Sequence, residues 1–290
     1  MNSGTDVMDT SPKISVVIPT RNRVHTLKRM LDTLLQDPYP ALEIIIVDGA
    51  STDGTVELIK SYGNRISKWI SEPDNGEYYA LNKGIKLASG EYLKLMSDDD
   101  VLRMDVFHKV ADFLATHPEV DIVFGQTEVW DEQDGAPVRQ FQTIMMDESK
   151  LSLRHWLRQK QTVMSLASFM RRNVFDRVGM LSTEFVNGDV EFWARCAHRG
   201  LKMGLMPDIV VDYHYTGYNG VLVKRWGAAK GMVGICAMYG TGSDVAYSIY
   251  RNFVKPFTYR PLALTFRWGW KKIFGIDPAT YFHSKHGIKA

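Results

Sequence analysis

"ISVVIPTRNRVHTLKRMLDTLLQDPYPALEIIIVD", running from Ile14 to Asp48, decides the fold. Its two ends, "ISVVIP" and "EIIIVD", are short, β-branched runs with no polar alternation, the pattern of strands covered on both faces of a parallel sheet. Between them, "HTLKRMLDTLLQ" places Leu27, Met30, Leu31, Leu34 and Leu35 at helical spacing. Strand, helix and strand in that order make a β-α-β unit, and its crossover is expected to be right-handed.

The alternation continues outward. After Asp48, "GASTDGTVELIKSYG" predicts a short helix N-capped by Thr52 or Asp53, and "ISKWIS" predicts a strand. "EYYALNKGIKLA" (Glu77 to Ala88) is a helix with Ala80, Leu81, Ile85 and Ala88 on one side, closed by Ser89-Gly90 before the strand "EYLKLM". Such α/β sheets bind ligands at the carboxyl ends of their strands. Pro19 to Arg23, Asp48 to Asp53 and Ser97 to Asp100 all fall at such ends, so three polar clusters converge on one rim. Past Val101 the pattern becomes mixed: a helix around Asp105 to Thr116, a strand "VDIVFGQ", a hairpin turning at Asp134-Gly135, a helix entered through Gly188-Asp189, and a strand "KMGLMPDIVVDYHY".

With 290 residues and 45% hydrophobic content the chain is one large or two small domains with a well-filled core. Its 35 basic and 33 acidic residues leave a net charge of +2, which gives no ground for nucleic acid as a partner. Cys196 and Cys236 lie far apart without CxxC or CxxH spacing, which argues against a disulfide framework or structural zinc and fits a reducing cytoplasm. Residues 1–12 read as a polar, flexible leader without the apolar run of a signal peptide. The longest apolar run, near "GMVGICAMYG", is about half the ~20 residues a membrane helix needs, so no span is expected.

The densest chemical signal is "EYLKLMSDDDVL", where a strand runs into Asp98, Asp99 and Asp100. Adjacent carboxylates repel unless a cation arrives. Oxygen-only ligands at a strand end suit Mg²⁺ or Mn²⁺, which bind through one or two carboxylates plus substrate phosphates, and a nucleoside diphosphate is the natural third party. The alternative is a solvated loop in which Asp100 serves the start of the next helix. The residues alone leave these two readings level.

"ISVVIPTRNR", "EIIIVDGASTDGT", "EPDNGEYYALNKGIKLASGEYLKLMSDDDVL" and "NGDVEFWAR", in this order over residues 13–215, resemble the family 2 inverting glycosyltransferases of GT-A fold. The middle block looks most like bacterial enzymes that build surface polysaccharides or decorate glycolipids. The resemblance implies a Rossmann-like α/β nucleotide-sugar-binding half (13–102), a mixed α/β acceptor-side half of the same domain (103–219) and a helical C-terminal extension (220–290). In it Pro19, Thr20 and Arg21 hold the nucleoside. Asp48 accepts a base N–H, which favours uracil or thymine; its alternative is a turn opening "DGASTDG". Ser97-Asp98-Asp99 matches the family's DxD position with its first acid replaced by Ser97. Asp99 then coordinates Mn²⁺ or Mg²⁺ together with Asp98, which also lies near the ribose or diphosphate, and Asp100 is the alternative that would share or substitute. Asp189 matches the catalytic base, with Glu191 the second candidate; on spacing alone an Asp after Gly at a helix start is an N-cap.

His214, Asn82, Lys83 and Trp193 fit packing and hydrogen-bonding roles better than ligand contacts. The C-terminal stretch carries Arg251, Lys255, Arg260, Arg267, Lys271 and Lys272 among aromatics, so residues 250–275 are either an interfacial helix facing anionic lipid or a helix packed on the catalytic domain. The implied reaction moves a sugar from a UDP- or dTDP-linked donor to a hydroxyl of a glycan or glycolipid acceptor, in the cytoplasm or at the inner face of a membrane. Rival readings are a sugar nucleotidyltransferase, which lacks here the glycine-rich triphosphate loop after the first strand, and a non-catalytic sugar-nucleotide or glycan-binding module.

Overall fold

The computed structural model describes residues 11–98, 100–133, 136–145, 147–158, 166–215 and 221–254. The opening unit is β1 (Ile14–Thr20), α1 (Val24–Leu34) and β2 (Leu42–Asp48), with every residue of β1 buried and the strands paired in parallel from Ile14 against Leu42 to Thr20 against Asp48. Leu27, Met30, Leu31 and Leu34 form the buried face of α1, as the spacing predicts. Then follow α2 (Thr55–Ser61), β3 (Lys68–Ser71), α3 (Glu77–Leu87) and β4 (Tyr92–Leu95), with β3 parallel to β2 and β4 parallel to β1.

The second half holds β5 (Val101–Leu102), α4 (Val106–Thr116), β6 (Ile122–Gln133), β7 (Ala136–Ile144), α5 (Leu153–Arg158), β8 (Ser168–Arg171), α6 (Val174–Val178), α7 (Gly188–His198) and β9 (Met203–Tyr215). Helices α8 (Val221–Tyr239) and α9 (Gly242–Ile249) follow. The strands form one sheet in the order β3-β2-β1-β4-β8-β6-β9-β5, with β7 paired to β6. The short β8 is the joint: it runs antiparallel to both β4 and β6 and so welds the two halves into a continuous sheet. One face is covered by α1, α2 and α4 around Leu31, Phe107 and Ile59, the other by α3, α6 and α7 around Leu81, Phe175 and Phe192.

Several local expectations change. Helix α2 begins one or two residues later than predicted, behind Gly54 at φ 94°, because the Asp53 carboxylate accepts from the Thr55 amide and from the Val24 amide of α1, tying two helix starts together. "ISKWIS" contributes only Lys68–Ser71 to the sheet. The predicted Asp134-Gly135 turn lies outside the described residues, although Gln133 pairs with Ala136 across it. Of the basic, aromatic stretch, residues 255–290 also lie outside the described residues, and so does most of the leader. Arg251 donates to the Arg158 carbonyl, which favours packing over lipid contact at that position. Among the described residues no helix is long and apolar enough to cross a membrane.

Candidate active site

The parallel register sets Thr20, Asp48 and Ser71 side by side at the carboxyl edge. Asp98, just past β4, closes on the same edge: the Thr20 hydroxyl donates to its carboxylate at 2.7 Å, with both side chains buried. Beside them opens a cleft of about 420 Å³ lined by Pro19, Thr20, Arg21, Ser97 and Asp98, with Asp74, Gly76 and Glu77 opposite. Four of the five residues expected to bind nucleotide therefore meet at one cavity.

Asp48, the fifth, does not line it. Its side chain is fully buried and accepts the Ser51 amide at 3.0 Å, the Ser71 hydroxyl at 2.6 Å and the Ser51 hydroxyl. Ser51 Oγ in turn accepts the Asn22 amide at 2.7 Å, and Asn22 Oδ1 accepts the Thr52 amide at 2.8 Å. In this arrangement Asp48 closes a turn and laces the loop after β2 to the loop after β1, the alternative named from the sequence. Asp74 is instead a carboxylate that the cleft exposes. A Cβ on Gly49 would stand 2.9 Å from Asp74 Oδ2 and 3.1 Å from Arg21 Cδ, so both side chains approach the backbone at this glycine. Asp74 and Glu77 were not singled out from the sequence; the signal was available, since "EPDNGE" follows β3 at the same carboxyl edge.

The acid cluster is divided. Asp98 faces the cleft, whereas Asp100 is 2% exposed and its charge acts on Lys94, which is 1% exposed. The Lys94 ammonium donates to the Leu166 carbonyl and lies 5.1 Å from the centre of the Phe169 ring. Burial pulls its pKa down to about 8, and the Asp100 carboxylate works against that pull. One of the three adjacent acids thus has a built-in counter-charge. Asp99 lies outside the described residues. The donor chemistry left at the cleft, a carboxylate beside a hydroxyl, fits a hard divalent cation completed by phosphate and water. Among the described residues no three His, Cys, Asp or Glu side chains converge as a closed metal cage.

Asp189 stands in the first turn of α7, but the N-cap is Asn187, so the capping alternative does not apply to it. Its Oδ1 accepts the Tyr78 hydroxyl at 3.2 Å, and its amide donates back to the same hydroxyl oxygen at 3.2 Å. It lines a pocket of about 180 Å³ with apolar walls that include Leu81, Leu95, Phe192 and Trp193. That pocket shares Glu77 and Ser97 with the larger cleft, so the two compartments are contiguous. A third compartment of about 280 Å³, which shares Glu77 and Tyr78 with the Asp189 pocket, is lined by Asn75–Tyr79 and Thr183–Val186.

Glu191 is differently placed: it is 3% exposed, paired with Arg195 at 2.9 Å and accepting the Tyr239 hydroxyl at 2.6 Å. Burial, reinforced by the Glu191 carboxylate, pushes that hydroxyl up to about 12. Trp193 packs in the core against Phe124 and Trp156, at ring separations of 5.2 and 6.0 Å. Lys83 pairs with Glu72 at 2.6 Å, and the Asn82 amide bonds both backbone groups of Leu181. The side chain of His214 lies outside the described residues.

Comparison with known proteins gives this arrangement its context. The PGL/p-HBAD biosynthesis glycosyltransferase of Mycobacterium bovis (strain BCG / Pasteur 1173P2) is 27% identical over 222 residues, covering 74% of this chain and 82% of that protein. The crystal structure of Staphylococcus aureus TarS 1-349 in complex with UDP-GlcNAc matches with a TM-score of 0.63 at 17% identity, over 85% of this chain and 73% of that one. The mannosyltransferase PcManGT of Pyrobaculum calidifontis, in complex with GDP-Man and Mn²⁺, matches with a TM-score of 0.61 at 19% identity, over 96% of this chain and 80% of its own. These likenesses show the GT-A fold. Residues 15–179, from the first buried strand through the acid cluster to α6, match the family described as Glycosyl transferase family 2, and the chain belongs to that family.

Proposed function

We propose that this glycosyltransferase moves a sugar from a UDP- or dTDP-linked donor to a hydroxyl of a glycan or lipid-linked acceptor, with inversion at the anomeric carbon and with the help of Mn²⁺ or Mg²⁺. The observation that carries the reading is contiguity. The cleft bearing Thr20, Arg21 and Asp98 and the pocket bearing Asp189 share Glu77 and Ser97 in their walls, which supports a donor held in the first presenting its sugar to the second.

Inversion is a single displacement. The acceptor oxygen forms its bond to the anomeric carbon as the bond to the donor diphosphate breaks, and that electron pair leaves with the nucleoside diphosphate. The acceptor proton passes to a base on the face opposite the leaving group. Asp189 takes that role. Glu191, already committed to Arg195 and Tyr239, does not. Pro19, Thr20 and Arg21 hold the nucleoside, and Asp48 is the acceptor of a base N–H, its carboxylate held at the strand end by Ser51 and Ser71. Asp98 and Asp99 would hold the divalent cation, which when bound supplies positive charge to the developing diphosphate. The two structures in complex with UDP-GlcNAc and with GDP-Man and Mn²⁺ support a nucleotide-sugar donor for this fold.

Product analysis tests the reading against its rivals. Turnover is expected to release nucleoside diphosphate; release of pyrophosphate would instead identify a nucleotidyltransferase. Donor cleavage that needs Mn²⁺ and disappears in Asp98→Ala would exclude a mere binding module. Asp189→Asn is expected to abolish transfer and leave nucleotide binding intact.

A further inference from the structure

Tyr78 and Asp189 lie 111 residues apart in the chain, on α3 and α7, and meet through two hydrogen bonds made by a single hydroxyl. That hydroxyl donates to the carboxylate and accepts the backbone amide of the same residue, so it fixes the side chain and the helix start together. The ring lies against the neighbouring Gly188, where a Cβ would come within 2.7 Å of Tyr78 Cε2 and 2.9 Å of Cδ2. The glycine is what lets the ring approach. Burial first, and the Asp189 charge second, push the Tyr78 hydroxyl well above its ordinary ionisation range. It therefore stays a donor to the carboxylate and is no base itself.

The placement of this contact gives it meaning. Helix α3 opens at the donor cleft, with Gly76 as its N-cap and Glu77 as its first residue, while α7 belongs to the other half of the sheet. The cleft and the carboxylate that must work on opposite faces of one sugar carbon are thus built on different halves. Displacement tolerates errors of only about 0.5 Å in the positions of base and donor. Tyr78 spans that seam directly, and it lines both the Asp189 pocket and the outer compartment.

We propose that Tyr78 is a positioning residue for the displacement, clamping the Asp189 carboxylate to the donor-binding helix in the orientation that takes the acceptor proton. The inference rests on the reading of Asp189 as the base. The test uses the full-length protein and the UDP-, dTDP- or GDP-sugar from which the wild type releases nucleoside diphosphate fastest with Mn²⁺, water standing in for the acceptor. Tyr78→Phe keeps the ring and removes only the clamp. It is expected to lower kcat by about 10- to 100-fold, with donor KM unchanged. A purely structural role would instead raise KM or lower Tm while kcat of the folded enzyme stays near the wild-type value, and that result overturns the proposal. An inactive Asp189→Asn beside a fully active Tyr78→Phe overturns the Tyr78 assignment only. A fully active Asp189→Asn removes the base assignment and this one with it.

Discussion

Asp189 and Glu191 stand two residues apart in the first turns of α7, yet their surroundings differ. Asp189 opens onto a pocket and touches a neutral hydroxyl, whereas Glu191 is sealed against Arg195 and Tyr239. Removing one charge of a buried, hydrogen-bonded pair leaves its partner uncompensated. Glu191→Gln is therefore expected to cost about 1–3 kcal/mol in denaturant unfolding while kcat of the folded enzyme holds. A second buried carboxylate, Glu43, sits at the opposite end of the sheet from the cleft. Burial alone would raise its pKa, but bonds from Lys68, Ser15 and Ser89 together outweigh burial and hold it near 2 against an ordinary 4.5. A depressed carboxylate stabilises the fold above the unfolded pKa and loses that contribution as pH falls through the folded one. Thermal melts should show Glu43's contribution intact above pH 4.5 and shrinking toward pH 2, and Glu43→Gln should lower Tm at pH 7 and flatten the decline below pH 4.5.

At the scale of elements, α3 is the part on which most depends. It seats on β1 so closely that a Cβ on Gly84 would stand 2.2 Å from Val17 Cγ1, and Val17 is fully buried with a stiff, branched side chain. Gly84→Ala is expected to destabilise by about 1–3 kcal/mol through overpacking, read as a lower denaturant midpoint with an unchanged slope. A raised donor KM should accompany it, since the same helix brings Gly76 and Glu77 to the cleft. The loops after β1 and β2 show how polar residues at a strand end divide between ligand and scaffold. Thr20 and Arg21 face the cleft, while Asp48, Ser51 and Asn22 hold one another.

At the scale of the molecule, one sheet carries both halves and its carboxyl edge carries the site, so ligand binding should be felt globally. UDP with Mn²⁺ at 100 times its Kd should stabilise the fold by about 2.7 kcal/mol, seen as a rise in Tm. Asp98→Ala should abolish that rise, and it should also lower the ligand-free Tm a little, because the buried Thr20 hydroxyl loses the carboxylate it donates to. Either UDP alone giving the full rise, or Asp98→Ala retaining it, would remove Asp98 from cation binding.

The local order of strands and helices through β4, the burial of their apolar faces and the convergence of polar clusters on one rim were all determined by sequence, because period-2 and period-3.6 patterns and strand-end chemistry act over a few residues. Motif order carried the family. Three things needed the tertiary structure. Which of the adjacent acids is neutralised from within depends on Lys94, whose burial is set by packing against Leu166 and Phe169. Whether Asp48 faces a ligand depends on Ser71, a partner supplied by the register of a neighbouring strand. The pairing of Tyr78 with Asp189 depends on β8, a four-residue strand too short to show a period, whose antiparallel insertion joins the halves and brings together groups that no sequence window contains.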